Sequence, residues 1–261
     1  MMILALIGSY RKRGNTARMV RMIEQQLVVM AAGAGQSLTV EVIFLGDQDI
    51  RPCLGCRTCF NRGEKKCPLK DDLLSIKQKM QAADAVIVAS PVYVNDVSGT
   101  VKIWMDRLAH VCHRPAFAGK SAYLLATVGS GPANHALRTM DMALRQWGFY
   151  IVGQTSFKTG ALLAQPALED RYRNKSVKIA EKIYTAVAEQ RFLKPSFLSL
   201  MTFKIQQRYW QRNRDDSLDY AYWQSQGWTD SGRSYYSGHQ ANFLKVVLAR
   251  LSGSLLAWFV T

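Results

Sequence analysis

No glutamate occurs after Glu189, and the 19 acidic residues of this 261-residue chain face 34 lysines and arginines, a net charge of +15. No recognised nucleic-acid-binding motif accompanies that charge, and the basic residues are spread along the chain. The surplus therefore reads as solvated faces that favour acidic partners, and a nucleic-acid surface is not expected. The tightest basic cluster is Arg11, Lys12, Arg13, Arg18 and Arg21, where a smaller phosphate would account for part of it. Internal repeats and low-complexity runs are missing, which excludes solenoids. There is no GxSxG elbow, and His110, His113, His135 and His239 form no ligand spacing, so a hydrolase is not indicated. His110 and His113 would share a helix face as surface residues.

Long apolar runs are lacking too. The N-terminal MMILALIGSYRKR puts its apolar stretch before its basic residues, the reverse of a secretory signal, so Met2 to Ile7 reads as a buried strand. The tail from Phe243 to Val260 is barely long enough to span a bilayer, and Lys245 and Arg250 interrupt it. Its Phe243, Leu244, Val247, Leu248, Leu251, Leu255, Trp258 and Phe259 repeat at helical spacing, the pattern of an amphipathic helix packed on protein. Contact with a membrane surface is the second reading of that helix. The expected location is the cytoplasm.

What is present suits a packed α/β protein. Hydrophobic residues make up 48% of the chain and charged ones 20%, enough to build a core and to exclude a disordered chain. Apolar runs alternate with helical patterns over the first 190 residues. Strands are expected at Met2–Ile7, Leu38–Leu45, Ala85–Ala89, Ser121–Val128 and Tyr150–Thr155. Helices are expected at Asn15–Met30, Asp71–Gln81, Gly99–Val111, Ala133–Trp147 and Asp170–Gln190. Five strands separated by helices imply a doubly wound parallel sheet, flavodoxin-like in the order 2-1-3-4-5. Residues 1–190 would form this domain. Residues 191–261 read as a basic, helical extension that holds 14 of the 27 aromatic residues.

The first strand ends in Gly8-Ser9-Tyr10-Arg11-Lys12-Arg13-Gly14-Asn15-Thr16, and a helix follows at once. A helix N-terminus attracts anions, Ser9, Asn15 and Thr16 add donors, Arg11 or Lys12 supplies charge, and Gly14 frees the turn. An ordinary capped turn is the bland alternative. The loop is neither GxGxxG nor a Walker loop, which points to a mononucleotide phosphate. At the switch point, this loop faces Pro91-Val92-Tyr93 after the third strand. A phosphate on one and an aromatic plane on the other describe FMN. The alternatives are a strand terminator for Pro91 and a surface aromatic for Tyr93. Thr127 and Gly129 of the loop after the fourth strand add a third wall, although Gly129 and Gly131 are equally readable as turn glycines.

Cys53, Cys56, Cys59 and Cys67 form C-x2-C-x2-C-x7-C in the loop after the second strand, at the same edge. Without a secretory signal this is metal or redox chemistry. Iron–sulfur ligation, zinc and no metal all remain open. Cys112 belongs to the apolar pattern of its helix, and Asp71 and Asp72 read as helix caps.

Taken in order, GSYRKRGNT, CLGCRTC, CPLKDDL, SPVY and VSGTVKIWMDR resemble the NAD(P)H-dependent FMN reductase and iron–sulfur flavoprotein family over roughly the first 155 residues. The resemblance implies FMN on a flavodoxin-like sheet, NAD(P)H as donor, and dimers or tetramers. It implies the FMN phosphate on Ser9, Arg11, Asn15 and Thr16, the ring against Pro91, Val92 and Tyr93, and a [4Fe–4S] cluster on the four cysteines. This chain departs from the family at Tyr10, usually proline, and at Arg13, usually glycine. The expectation is an oxidoreductase passing electrons to a quinone, a flavin or a protein. Its rivals are a non-catalytic electron carrier and a flavin-free scaffold for an acidic partner.

Overall fold

The computed structural model describes residues 1–160, 165–189 and 194–260. Five parallel strands, β1 (Met2–Ile7), β2 (Thr39–Phe44), β3 (Ala85–Tyr93), β5 (Ser121–Val128) and β6 (Tyr150–Lys158), stand in the order β2-β1-β3-β5-β6. A sixth strand, β4 (Asp96–Val97), pairs antiparallel with β3 and was not foreseen from sequence. The flavodoxin-like order is the one expected.

The strands are buried on both faces, as a sheet covered by crossover helices must be. Side chains alternate along β1: Leu4 and Leu6 pack on one face, while Ile3, Ala5 and Ile7 pack on the other. The first face lies under α3 (Leu73–Ala82), α4 (Gly99–Arg107) and α5 (Asn134–Gln146); the second lies under α1 (Asn15–Gly33) and α6 (Gln165–Ala188). The long loop after β2 contains one short helix, α2 (Thr58–Asn61).

Several boundaries shift. Strand β3 runs on to Tyr93 because β5 still pairs with it, Pro91 lying opposite Thr127. On the other side β1 ends at Ile7 opposite Ala89 and β4 begins to pair only at Val92, so Pro91 falls in the gap between the two pairings, where a missing N–H is tolerated. Helix α4 stops at Arg107, and a 3-10 turn over Ala109–Cys112 replaces its expected last turn. Helix α6 begins at Gln165 rather than Asp170. The expected helix end at Gln190 and domain boundary at 190–191 lie outside the described residues.

The extension folds as α7 (Phe197–Arg212), α8 (Leu218–Ser225) and α9 (Phe243–Val260) around a separate aromatic core of Phe203, Trp210, Trp223, Trp228, Tyr235 and Tyr236. Helix α9 corrects the reading of its apolar stripe. It packs through its small face: Ala249 and Ala257 are buried, and a Cβ on Gly253 would lie 2.8 Å from the Met201 carbonyl of α7. The large residues point away, with Phe243 81%, Leu251 64% and Trp258 68% exposed. The physical reason is close approach: small side chains let the two helix backbones come together, which large ones prevent. Among the described residues no helix is long and apolar enough to cross a membrane.

Candidate functional site

Three loops meet at the carboxyl edge of the sheet. The first joins β1 to α1. Gly8 donates to the Ala89 carbonyl at 2.8 Å, and the Ser98 hydroxyl donates to the Gly8 carbonyl at 2.7 Å. A Cβ on Gly8 would fall 2.1 Å from Val101 Cγ2, so only glycine permits this approach. Ser9 is buried, and its hydroxyl accepts the Arg11 N–H at 3.0 Å. Arg11 is exposed beside Gly14, whose N–H donates to the Arg11 carbonyl at 3.0 Å. The Tyr10 ring covers Gly46, and Lys12 pairs with Asp47 at 3.0 Å.

Gly14 is the N-cap of α1 at φ −75, ordinary extended backbone. The angular freedom expected of this glycine is thus not used. It is closeness that matters, since a Cβ would meet the Arg11 Cβ and carbonyl at 3.1 Å. No side chain caps α1 and no acidic residue occupies its first turn. Ser98, Ser196 and Ser217 cap α4, α7 and α8, while α2, α3 and α5 share with α1 the lack of a side-chain cap. The α1 N-terminus is therefore a donor cluster open to an anion, with Asn15 and Thr16 at its start. That fits the phosphate of FMN.

The second loop is the β3–β4 hairpin. Val94 and Asn95 both have positive φ, 48 and 66, as a two-residue hairpin turn requires. Asparagine tolerates this and valine rarely does, so the fully exposed Val94 is strained at the tip. The turn is held from behind, where Ser98 N–H donates to the Ser90 hydroxyl at 2.9 Å. Pro91 is buried, Val92 half-buried and Tyr93 57% exposed, which leaves a wall for a planar ring beside the first loop.

The third loop follows β5. Thr127 and Thr16 share a buried hydroxyl–hydroxyl hydrogen bond of 2.6 Å, which ties β5 to the start of α1. The Gly129 carbonyl accepts the Gly160 N–H at 3.1 Å, and it is Gly131, at φ 81, that makes the turn. Ser9, Arg11, Gly14 and Gly129 in loops, Asn15 and Thr16 at the start of α1, and Pro91, Val92, Tyr93 and Thr127 at strand ends thus lie at one edge, while the Lys12 ammonium is engaged by Asp47.

The cysteine loop lies at the same edge. Cys53, Cys56, Cys59 and Cys67 are free thiols that line one small pocket of about 30 Å³, together with Arg107 and His110. Burial pushes the Cys59 thiol up, and nearby Cys53 and Cys67 add to the rise. A hydrogen bond with Thr58, 3.3 Å away, lowers Cys56. Arg107 is anchored to the Arg51 carbonyl at 2.7 Å and to Asp71, and it approaches Cys67 Sγ at 3.8 Å. Asp71 does accept the Leu73 N–H of α3, but its carboxylate chiefly holds Arg107. Asp72 is the N-cap residue of α3, its carbonyl accepting the Ile76 N–H, but its side chain accepts the Asp49 N–H and caps no first-turn donor.

His110 was expected on the surface and is instead 1% exposed. Burial brings it down to about 4, so it is neutral at pH 7, and neither ring nitrogen has a hydrogen-bond partner. Sequence reasoning missed it because a histidine in a helical pattern carries no sign of what will cover it.

Four thiols beside a guanidinium and an imidazole that makes no hydrogen bond, with the Glu64 carboxylate 3.9 Å from its Nε2, suit an anionic iron–sulfur cluster, whose sulfurs accept hydrogen bonds. Among the described residues no three His, Cys, Asp or Glu side chains gather as ligands of a single ion do.

The sequence profile described as NADPH-dependent FMN reductase matches residues 1–163. This chain belongs to that family. It is 29% identical over 197 residues to an iron–sulfur flavoprotein of Archaeoglobus fulgidus, covering 75% of this chain and 84% of that one. A second iron–sulfur flavoprotein, from Methanocaldococcus jannaschii, is 39% identical over 107 residues, 41% of this chain and 51% of its own. Among solved structures, the apo form of the NADH:FMN oxidoreductase EmoB superposes with a TM-score of 0.52 at 22% identity, covering 71% of this chain and 89% of that one. RosB, bound to 8-demethyl-8-formylriboflavin-5′-phosphate, gives a TM-score of 0.55 at 14% identity and covers 93% of this chain and 92% of its own. At such identities the two structures share the fold with this chain, and the RosB likeness reaches into the C-terminal helices.

Proposed function

We propose that this family member holds FMN across the three loops and passes electrons from NAD(P)H to a quinone, a free flavin or a protein acceptor. The observation that carries this reading is the uncapped α1 N-terminus facing the Pro91–Tyr93 wall. Bound FMN would supply the redox chemistry. The chain's own part is to fix it: the first-turn N–H groups of α1 with Ser9, Asn15 and Thr16 hold the phosphate, and Arg11 adds charge. Pro91, Val92 and Tyr93 orient the ring. The Ser98–Gly8 hydrogen bond keeps the two loops in register. The flavin does the chemistry, so no protein side chain is assigned as acid or base.

The pocket of Cys53, Cys56, Cys59 and Cys67 favours the iron–sulfur flavoprotein version of this reading. There Arg107 and His110 would neutralise and hydrogen-bond a cluster beside the flavin. Anaerobic purification tests both parts. Flavin absorption with about four irons and matching sulfide per chain is expected for a [4Fe–4S] flavoprotein. Brisk NADPH-dependent quinone reduction without iron would support the flavin and remove the cluster. A protein that stays colourless after incubation with FMN would overturn the whole reading.

A further inference from the structure

The basic cluster at the start of α1 divides in the fold. Lys12 turns to Asp47, whereas Arg13, Arg18 and Arg21 line a cavity of about 500 Å³ between α1 and α6, with Glu169, Arg173 and Ser176 on its other wall. That volume lies within the range of small-molecule sites and exceeds what a bare ion needs.

The cavity is built, not merely basic. Arg18 is only 7% exposed, and it is steadied by the Asn15 side chain at 3.4 Å and by Glu169 at 3.5 Å. Arg21 is braced by the Lys12 carbonyl at 3.1 Å, and Arg173 by Asp170 at 2.8 Å. Glu169 is the acidic side chain on the wall itself, while Asp170, paired with Arg173, and Glu24, near Arg21, stand behind it. Ser176, 1% exposed, contributes a hydroxyl with no hydrogen-bond partner. A buried hydroxyl left unpaired is costly, and an oxyanion would satisfy it.

We infer that this cavity is a second anion site, separate from the α1 N-terminus, that takes a phosphomonoester dianion. Guanidinium forks match phosphate oxygens in pairs, and a tetrahedral phosphate offers more such oxygens to arginines on both walls than a carboxylate does. The phosphomonoester has two possible sources: the 2′-phosphate of a nicotinamide dinucleotide, or another phosphorylated metabolite.

The test uses the full chain saturated with FMN, so that the first phosphate site is filled, and adenosine 2′,5′-bisphosphate as the calorimetric probe. One saturable site is expected, competed by inorganic phosphate. Affinity should fall roughly tenfold or more in Arg21→Gln/Arg173→Gln, whose exposed side chains leave folding and flavin content unchanged. Ser176→Ala, read in parallel, should weaken binding without removing it. If NADPH outcompetes NADH and the double variant erases the difference, the source is the dinucleotide. Equal competition by the two, with phosphomonoesters still bound, assigns another metabolite. Absence of saturable binding, or binding untouched by the double variant, overturns the site. So does binding that free FMN displaces.

Discussion

Single residues carry two sharp tests. Gly8→Ala would place a methyl 2.1 Å from the buried Val101 side chain and 2.8 Å from Ser98 Oγ. Overpacking of this kind costs roughly 1–3 kcal/mol, and here it also pries the first loop from the hairpin. Urea unfolding should show the lower midpoint, and flavin titration the weaker FMN affinity; an unchanged pair would refute the close approach. Lys204 tests pH. It is 4% exposed in the extension's core, and burial, aided by Arg250 and Arg208, lowers it to about 8. Its folded value lies below its ordinary 10.5, so between those limits the unfolded chain binds more protons and stability rises with pH. Unfolding midpoints from pH 7.5 to 10 should climb in the native chain. Lys204→Met should flatten that climb; a slope identical in both would dismiss the buried cation as its source.

At the scale of elements, α9 offers two faces with opposite expectations. Gly253→Ala brings a Cβ within 2.8 Å of Met201 O and of Lys204 Cβ, so it should cost roughly 1–3 kcal/mol by forcing α7 and α9 apart. Leu251→Gln, on a side chain 64% exposed, should stay within about 0.5 kcal/mol of the parent. Chemical denaturation of the two variants ranks the faces, and the reverse ranking would restore the packing read from sequence. The same helix shows where sequence patterning stops. Period and length located α9, because both are local. Which stripe is buried depends on a neighbour's backbone, and a row of small residues does not announce it. Strand order was legible for the same local reasons: β1, β3 and β5 are apolar runs whose alternation survives in the fold. The loop between β1 and α1 and the cysteine spacing were legible as contiguous motifs. His110 and Arg107 were not, since their partners come from Glu64, Asp71 and Arg51, dozens of positions away.

Over the whole molecule, the extension is bolted to the segment that supports the cysteine loop. Gln206 donates to the Cys112 carbonyl at 2.9 Å, Trp223 to His113 at 2.8 Å and Tyr222 to Pro115 at 2.7 Å. Asp219 of α8 is the hinge pin. It pairs with His113 Nδ1 at 2.8 Å and with Arg114 at 3.3 Å, both from the sheet domain. Arg114 in turn donates to the carbonyls of Cys59 at 2.5 Å and Phe60 at 3.4 Å, and Phe60 meets the His113 ring edge-on at 5.0 Å. A chain of contacts thus runs from the aromatic core of the extension to helix α2, which carries Cys59. Asp219→Ala leaves Arg114, only 8% exposed, with carbonyl partners but no carboxylate, a loss of roughly 1–3 kcal/mol. The effect should be directional: hydrogen exchange over residues 57–61 should quicken while that of β1 and β3 stays as it was. Under the iron–sulfur version of the proposed function, iron retained by anaerobically prepared protein should fall in step with that loosening. Exchange that rises evenly across the molecule, or not at all in α2, would mean that the extension merely sits beside the cysteine loop without holding it.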